Sequence, residues 1–215
     1  YFIGYFLGDG SITLTSSGER LEITSANLEV LQKLKKIARD VFNIRAVIYR
    51  HKEGSSTYRL IVKDKDFIDW LKKITLKKCD NIHVVKRKGY ITRLKKIPEF
   101  AYSAPLDFII GLIKGLIDSD ESITIINNGG RNICKELKIS SVNKDLVQGI
   151  VVLLSRLGLT HTIRTKKIKY KDKYVSYYEI NIIDSVRLLH LLKDVISNNE
   201  ASTIHVEDKN IDYVD

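Results

Sequence analysis

The sequence contains one pattern twice. The first copy occupies residues 2–12 and the second occupies residues 113–123. Each copy is an apolar run with an internal glycine, and each ends in Asp, one variable residue, Ser and Ile, with the aspartates at Asp9 and Asp120. Because self-similarity of this kind is the signature of duplicated structure, we expect two copies of one unit and not a single continuous fold.

The elements that follow each copy also match. A short alternating run, a turn and a second alternating run lead into a helix-like segment, which covers residues 27–41 in one copy and 143–157 in the other. Asn27 and Asn143 stand where helix N-caps belong, because their side chains can accept from the first free backbone N–H groups. A second hairpin and an amphipathic helix close each copy, so that each reads α-β-β-α-β-β-α.

Alternation along the strands predicts sheets with one polar face. Arg20, Glu22 and Thr24 alternate with Leu21 and Ile23, and the second copy has the same arrangement. One face of such an antiparallel sheet packs on helices, and the other is free for a ligand. We therefore predict an α+β protein of two pseudo-symmetric αββαββα units, whose antiparallel sheets lie side by side.

The positive charge is concentrated between the two copies. The chain carries a net charge of +10, and residues 72–96 hold ten basic residues against one acid. Such a stretch releases counterions from a polyanion and favours nucleic acid as the partner, although a solvated lysine-rich surface is the ordinary alternative. We predict units at residues 1–74 and 105–215, joined by a basic linker at residues 75–104.

Membrane and secretory roles are not expected for this sequence. No apolar run approaches the roughly 20 residues that span a bilayer, and no signal peptide is visible at the start. Cys79 and Cys134 form neither a disulfide framework nor a metal-binding spacing. The expected location is therefore a reducing intracellular one, in the cytoplasm of a prokaryote or in an organelle.

Both repeated segments resemble the LAGLIDADG motif, and the shared element order extends the resemblance over nearly the whole chain. One such motif is a weak signal, but two copies 111 residues apart are a strong one. The resemblance implies a monomeric, single-chain, intron-encoded homing endonuclease that cuts both strands of a long asymmetric site in double-stranded DNA with a divalent metal. Two alternatives stay open, namely an RNA-splicing maturase and a non-catalytic DNA-binding regulator on the same fold.

The resemblance implies that the antiparallel sheets form a DNA-binding saddle and that the motif helices pack at the interface. Small residues allow these two helices to pack with their backbones nearly touching. These residues are Gly4, Gly8, Gly111, Gly115 and Ser119. The resemblance implies that Asp9 and Asp120 then lie side by side and bind the metal, helped by the backbone carbonyls of Gly8 and Ser119. Hard oxygen ligands suit Mg²⁺, and two or three divalent ions are implied, with Mn²⁺ or Ca²⁺ able to substitute.

The two motifs depart from the family pattern in different ways. The first has Leu7 where the family carries its first aspartate, and the second has Asp118, which we interpret as structural. Glu121 replaces the terminal glycine of the second motif and adds a carboxylate beside Asp120. Glu121 either points to solvent or alters metal binding in the second half, and it keeps the maturase alternative open, whereas the presence of both motif aspartates disfavours the regulator.

The resemblance also implies polar and basic residues around the metals. One such position follows the second strand of each unit, at Ser25 and Ser141, and another follows the last helix, where Lys77 and Lys78 fit the first copy. For the two lysines, a plain phosphate contact or solvation is equally open. The residues expected to contact DNA are Arg20, Arg45, Arg50, Arg59, Lys138, Arg164 and Lys166.

Overall fold

The computed structural model describes residues 1–51, 56–77, 94–119, 137–170 and 173–192. The first unit begins with a helix, continues through strand pairs on either side of a second helix, and closes with a third helix. Its elements are α1 (Phe2–Asp9), β1 (Gly10–Thr15), β2 (Gly18–Ser25), α2 (Leu28–Phe42), β3 (Ala46–Arg50), β4 (Tyr58–Val62) and α3 (Lys65–Thr75).

The second unit repeats this order wherever it is described. Its elements are α4 (Leu106–Ser119), β5 (Leu137–Ser141), α5 (Lys144–Arg156), β6 (His161–Tyr170), β7 (Lys173–Ile182) and α6 (Ser185–Leu191). The strand expected shortly after Asp120 lies outside the described residues. The predicted α+β class and the duplicated unit are confirmed.

Each unit contains one antiparallel sheet. The first has the strand order β1-β2-β4-β3, and the described part of the second has the order β5-β7-β6. The registers match, because Ile23 lies opposite Leu60 in the first sheet and Ile139 lies opposite Ile180 in the second. β5, β7 and β6 are therefore the counterparts of β2, β4 and β3, so that residues can be equated between the two sheets position by position.

One face of each sheet is apolar and buried. In the first sheet this face carries Leu21, Ile23, Leu60 and Val62, all of which are fully buried. Removing such side chains from water is the dominant favourable term in folding. The opposite face is left for polar side chains, as the alternation predicted. Among the described residues, no helix is long and apolar enough to cross a membrane.

Both predicted N-caps are present. The side-chain oxygens of Asn27 and Asn143 each accept from the backbone N–H groups two and three residues further on, at 3.0 to 3.2 Å. Asn27 thereby starts α2 and Asn143 starts α5. An asparagine cap satisfies backbone donors that have no partner inside the helix, and this fixes where the helix begins.

The motif helices α1 and α4 pack with almost no space between their backbones. A Cβ atom added to Gly4 would lie 1.9 Å from the carbonyl oxygen of Leu112, and one added to Gly115 would lie 2.1 Å from the carbonyl oxygen of Tyr1. Neither position has room for a side chain. Of the predicted small residues, Gly111 is the exception, because the nearest atom to its added Cβ is 3.4 Å away.

Residues 94–104 form a bridging segment between the two units. Lys95 in this segment pairs with Leu76, just after α3, in an isolated antiparallel bridge. A short 3-10 helix, Glu99–Tyr102, then leads towards α4. The bridging segment therefore begins beside the end of the first unit and ends at the start of the second motif helix.

Candidate metal centre and DNA-facing sheets

The first motif aspartate lies at the end of the helix interface. Asp9 is the last residue of α1 and is exposed, while Gly8 before it is half-buried. Gly8 packs against Ser119 of α4, since a Cβ added to Gly8 would lie 1.6 Å from Ser119 Oγ. The hydroxyl of Ser119 donates to the carbonyl oxygen of Leu116 at 2.7 Å. Asp120 follows Ser119 in the sequence and lies outside the described residues.

Lys95 is a basic residue of this site that the sequence interpretation missed. It is only 1% exposed, and its Nζ donates a 2.9 Å hydrogen bond to the carbonyl oxygen of Gly8. Burial lowers the pKa of Lys95 to about 7, while the charge of Asp9 acts to raise it. The structure thus places a buried amine on a motif-helix carbonyl, within the electrostatic reach of a motif aspartate.

Of the two lysines proposed from the sequence, Lys77 lies within the described residues. Lys77 donates from Nζ to Asp145 in the first turn of α5, and its backbone N–H donates to the carbonyl oxygen of Leu94 at 2.9 Å. Lys78 lies outside the described residues. Lys95 is hard to single out in the sequence, because residues 72–96 contain ten basic residues. Only its spacing of two from Ile97, which is buried, distinguishes it.

Ser25 and Ser141 occupy equivalent positions in the two units. The hydroxyl oxygen of Ser25 accepts from the backbone N–H of Asn27 at 3.1 Å, and that of Ser141 accepts from Asn143 at the same distance. Both serines therefore shape the turn from a strand into a capped helix. A hydroxyl that accepts can still donate its own proton, so that this structural contact leaves their predicted site role untested.

Asp118, interpreted as structural, contacts the residue that precedes the other motif helix. Its Oδ2 accepts a 2.6 Å hydrogen bond from the hydroxyl of Tyr1, which precedes α1. Burial, followed by this bond and the charge of Asp118, raises the pKa of the Tyr1 hydroxyl far above its usual value. The ammonium of Lys33 lies 4.0 Å from the centre of the Tyr1 ring. Asp118 therefore joins a packed cluster at the helix interface.

The described donors fit a hard divalent cation. The Asp9 carboxylate and the Gly8 carbonyl offer oxygen atoms, and no group of three or more His, Cys, Asp or Glu side chains that could hold a metal is found among the described residues. Mg²⁺ is commonly held by one or two carboxylates, with water and substrate phosphate filling its other positions. Oxygen donors such as these two suit Mg²⁺ better than the sulfur and nitrogen ligands of a structural zinc site do.

The polar face of the first sheet has a buried carboxylate at its centre. Glu22 is 7% exposed, and it accepts from Thr13 at 2.7 Å and from Arg20, while Arg59 lies 3.3 Å away. Burial opposes ionisation of Glu22, but the hydrogen bonds from Thr13 and Arg20 and the charge of Arg59 outweigh it, and its pKa is lowered. Arg59 also contacts His51.

The second sheet carries the same charges with their signs exchanged. Because the registers match, Glu22 is equivalent to Lys138 and Arg59 is equivalent to Glu179. Glu179 is also 7% exposed, and it accepts from Lys166 Nζ at 2.8 Å. The two polar faces thus share a backbone but present opposite charges at matched positions.

Most of the residues predicted to contact DNA share these polar faces. In the first sheet, Arg20 and Arg59 cluster on Glu22, and Arg45 lines a groove with Tyr49. In the second sheet, the cross-strand partners of Lys138, Arg164 and Lys166 are Asn181, Glu179 and Tyr177, which alternate with the buried Ile180 and Ile182. Arg50 differs, because it pairs with Tyr58 on the side of the buried Leu60.

The duplicated unit, the close-packed motif helices and the terminal aspartate define one class of protein. The chain belongs to the LAGLIDADG-like domain family, whose family model matches residues 1–75 and 107–195. In fold it is similar to homing endonuclease I-DmoI, a single-chain enzyme with two motifs. A mesophilic variant of I-DmoI aligns with a TM-score of 0.58 at 20% identity, over 92% of this chain and 96% of that one.

I-DmoI in complex with DNA and Mn gives the same TM-score of 0.58, at 20% identity, over 89% of this chain and 93% of that chain. Two curated relatives come from Methanocaldococcus jannaschii. Its probable translation initiation factor IF-2 is 29% identical over 189 residues, which are 85% of this chain and 14% of that protein. Its DNA-directed RNA polymerase subunit Rpo1C is 26% identical over 167 residues, which are 77% of this chain and 16% of that protein.

Proposed function

We propose that the chain is a site-specific homing endonuclease that hydrolyses phosphodiester bonds on both strands of a long, asymmetric double-stranded DNA target. The observation that carries this proposal is the meeting of Asp9, the Gly8 carbonyl and the buried Lys95 at the end of two close-packed motif helices. The protein acts as a monomer, because one chain contains both motifs. Asp120 is the second proposed catalytic aspartate.

The proposed cofactor is Mg²⁺, in two or three ions, with Mn²⁺ or Ca²⁺ able to occupy the same positions. Support comes from the oxygen donors of the site and from I-DmoI, which has been solved with Mn, with Mg and with Ca. Asp9 and Asp120 would hold the cations, and the carbonyls of Gly8 and Ser119 would assist. When bound, the metal activates water and stabilises the leaving oxygen of the phosphodiester.

The protein's own groups then orient the scissile phosphate. The Lys95 amine is fixed on Gly8, so its position is set before DNA arrives, and a preorganised donor is worth more than a mobile one. The lysine stabilises negative charge on the phosphate being attacked at the Asp9 side. Ser25, Ser141, Lys77 and Lys78 are proposed to shape the surrounding water and phosphate contacts.

The two polar sheet faces are proposed to read the two halves of the target. Arginine and lysine donate to guanine, while a carboxylate accepts from cytosine in the major groove. Matched positions of opposite charge, such as Glu22 and Lys138, therefore favour different base pairs in the two halves. Base and phosphate contacts are added by Arg20, Arg45, Arg59, Arg164 and Lys166. Arg50, on the other side of its strand, is proposed to contact the DNA backbone.

This chain corresponds to a part of two longer proteins. It matches a small share of a translation initiation factor and a similar share of an RNA polymerase subunit. Because similar units occur within two proteins of unrelated names, we infer that the unit has an activity independent of the protein that contains it. That pattern agrees with a mobile, intron- or intein-encoded endonuclease that acts on DNA inside the cell.

A cleavage selection tests the proposed function. The protein is incubated with a library of random duplex DNA and either Mg²⁺ or EDTA, beside the variants Asp9→Asn and Asp120→Asn. Staggered cuts at one long site, lost with EDTA and in the variants, are the expected result. Tight DNA binding without cuts in Mg²⁺ or Mn²⁺ would support the regulator instead, and selective binding of a structured RNA would support the maturase.

A further inference from the structure

The bridging segment, residues 94–104, is attached to the first unit through its backbone. The backbone N–H of Lys77 donates to Leu94 at 2.9 Å, and that of Lys96 donates to the carbonyl oxygen of Thr75 at 2.7 Å. These two bonds flank Lys95 and pair it with Leu76. They leave the carbonyl of Lys95 to be satisfied from elsewhere.

The second unit supplies that bond. Asn143 donates from its side-chain Nδ2 to the carbonyl oxygen of Lys95 at 2.5 Å. Asn143 is 3% exposed, so water cannot easily replace either partner, and a buried group left unpaired is costly. The segment is also close to α5 elsewhere, since a Cβ added to Gly149 would lie 2.5 Å from a side-chain carbon of Ile97.

Asn27 provides an internal comparison for Asn143. Both asparagines cap a helix through Oδ1, and both follow a serine whose hydroxyl accepts from the asparagine N–H. Of these two asparagines, only Asn143 has a bond from its Nδ2 among those found for the described residues, and that bond reaches the bridging segment. Asn143 therefore makes a described contact, to Lys95, in addition to the helix cap that it shares with Asn27.

We propose that Asn143 is a positioning residue for Lys95, holding it from the second unit so that its amine meets Gly8 on the first motif helix. The proposal rests on the function proposed above. Its consequence is that hydrolysis at the Asp9 side depends on a residue of the other unit. The amine of Lys95 contacts the first unit, while its backbone carbonyl accepts from the second.

The variant Asn143→Asp separates the two contacts of Asn143. Aspartate caps a helix as well as asparagine does, but it has no amide hydrogen to donate to Lys95. Asn27→Asp is the matched control, because it makes the same change at the equivalent cap. Asn143→Ser, which keeps a good cap without adding a buried charge, is the second variant in case Asn143→Asp folds poorly.

Lysine labelling tests the contact without metal or DNA. Each protein is treated with an amine-acetylating ester, and acetylation of Lys95 is followed by mass spectrometry. Because a buried amine reacts only when the site opens locally, loss of one hydrogen bond is expected to speed Lys95 labelling about five-fold in both Asn143 variants. Asn27→Asp should match the wild type. Unchanged labelling of Lys95 in both Asn143 variants would overturn the proposal.

Strand-specific cleavage tests the consequence. On a target labelled separately on each strand, the Asn143 variants are expected to slow one strand about ten-fold more than the other, so that nicked DNA accumulates, while DNA affinity stays within about two-fold. Equal slowing of both strands would show a general structural loss and would contradict the positioning role. If wild-type protein binds DNA without cutting, the proposed function fails, but the labelling result still decides whether Asn143 holds Lys95.

Discussion

Lys95 stands where the proposed chemistry needs a charge and not where stability would favour one. It is almost completely buried, and its amine donates to a backbone carbonyl and lies 5.2 Å from the centre of the Phe6 ring. Desolvating a charge costs free energy that an apolar side chain would not. Such positions are expected to trade stability for function.

Lys95→Met tests this trade at the candidate metal centre. The variant is expected to keep its free energy of unfolding within about 1 kcal/mol of wild type or to gain stability, since an apolar chain of similar length replaces a buried amine. Cleavage should fall roughly 100-fold, which is typical for loss of one preorganised donor. Denaturant unfolding and single-turnover cleavage measure the two effects. Lys96→Met is the control and should cut normally; wild-type cleavage by Lys95→Met would refute the role.

Glu22 makes the stability of the first sheet depend on pH. Its folded pKa is lowered, so the stabilisation from its ionised form is fully present above the ordinary glutamate pKa near 4.3 and is lost as the pH falls through the folded value. Glu22→Gln should therefore cost about 1 to 3 kcal/mol near pH 7 and progressively less below about pH 4. Urea unfolding of both proteins at each pH measures this, and a difference independent of pH would contradict it.

At the scale of elements, the contact between α1 and α4 is made by backbones. Gly4 and Gly115 each leave less than 2.2 Å for an added carbon, which is far inside normal contact. Such helices cannot slide or separate without losing the arrangement at their ends. The geometry of the candidate metal centre is therefore set by glycines several residues away from it.

Gly4→Ala and Gly111→Ala are a matched pair for this interface. Gly4→Ala forces the helices apart and is expected to lower the free energy of unfolding by about 1 to 3 kcal/mol, as overpacking usually does. Gly111→Ala has room and should be neutral or stabilising by about 0.5 to 1 kcal/mol, because alanine favours helix. Thermal unfolding of the two variants compares them; equal effects would show that the close approach is not the cause.

The element order was predictable from the sequence, and the side-chain network was not. Both asparagine caps and the small-residue helices follow from local patterns that any copy of the unit must repeat. Lys95 could not be singled out, since its burial depends on pairing with Leu76 and on Asn143, which lie far apart in the sequence. The contact of Lys77 with Asp145 is likewise a product of how the two units dock.

At the scale of the whole molecule, two sheets with one backbone design carry exchanged charges. The pair Glu22 and Arg59 in the first sheet corresponds to Lys138 and Glu179 in the second. The two units share one backbone arrangement, as duplication predicts, while the side chains on their polar sheet faces differ. This difference supports the proposal of an asymmetric DNA target.

Exchanging one pair of charges should change one half of the target. The double variant Glu22→Lys with Arg59→Glu is expected to alter base preference roughly ten-fold or more in one half-site and to leave the other half unchanged. Lys138→Glu with Glu179→Arg is the reciprocal control and should act on the opposite half. Selections in which each half-site is randomised separately measure both. A loss of preference spread over the whole target would contradict independent reading.

The bridging segment also sets where two relatives of this protein could be recombined. Its Lys95 amine is used by the first unit, but Asn143, Gly149 and Arg156 of the second unit hold the segment, the last through a 2.8 Å bond to the carbonyl oxygen of Ala104. In a chimera fused next to α4, the bridging segment would come from one parent and the second unit that contacts it from the other. Fusion points between residues 77 and 94 should therefore give active chimeras more often than fusion points near residue 105.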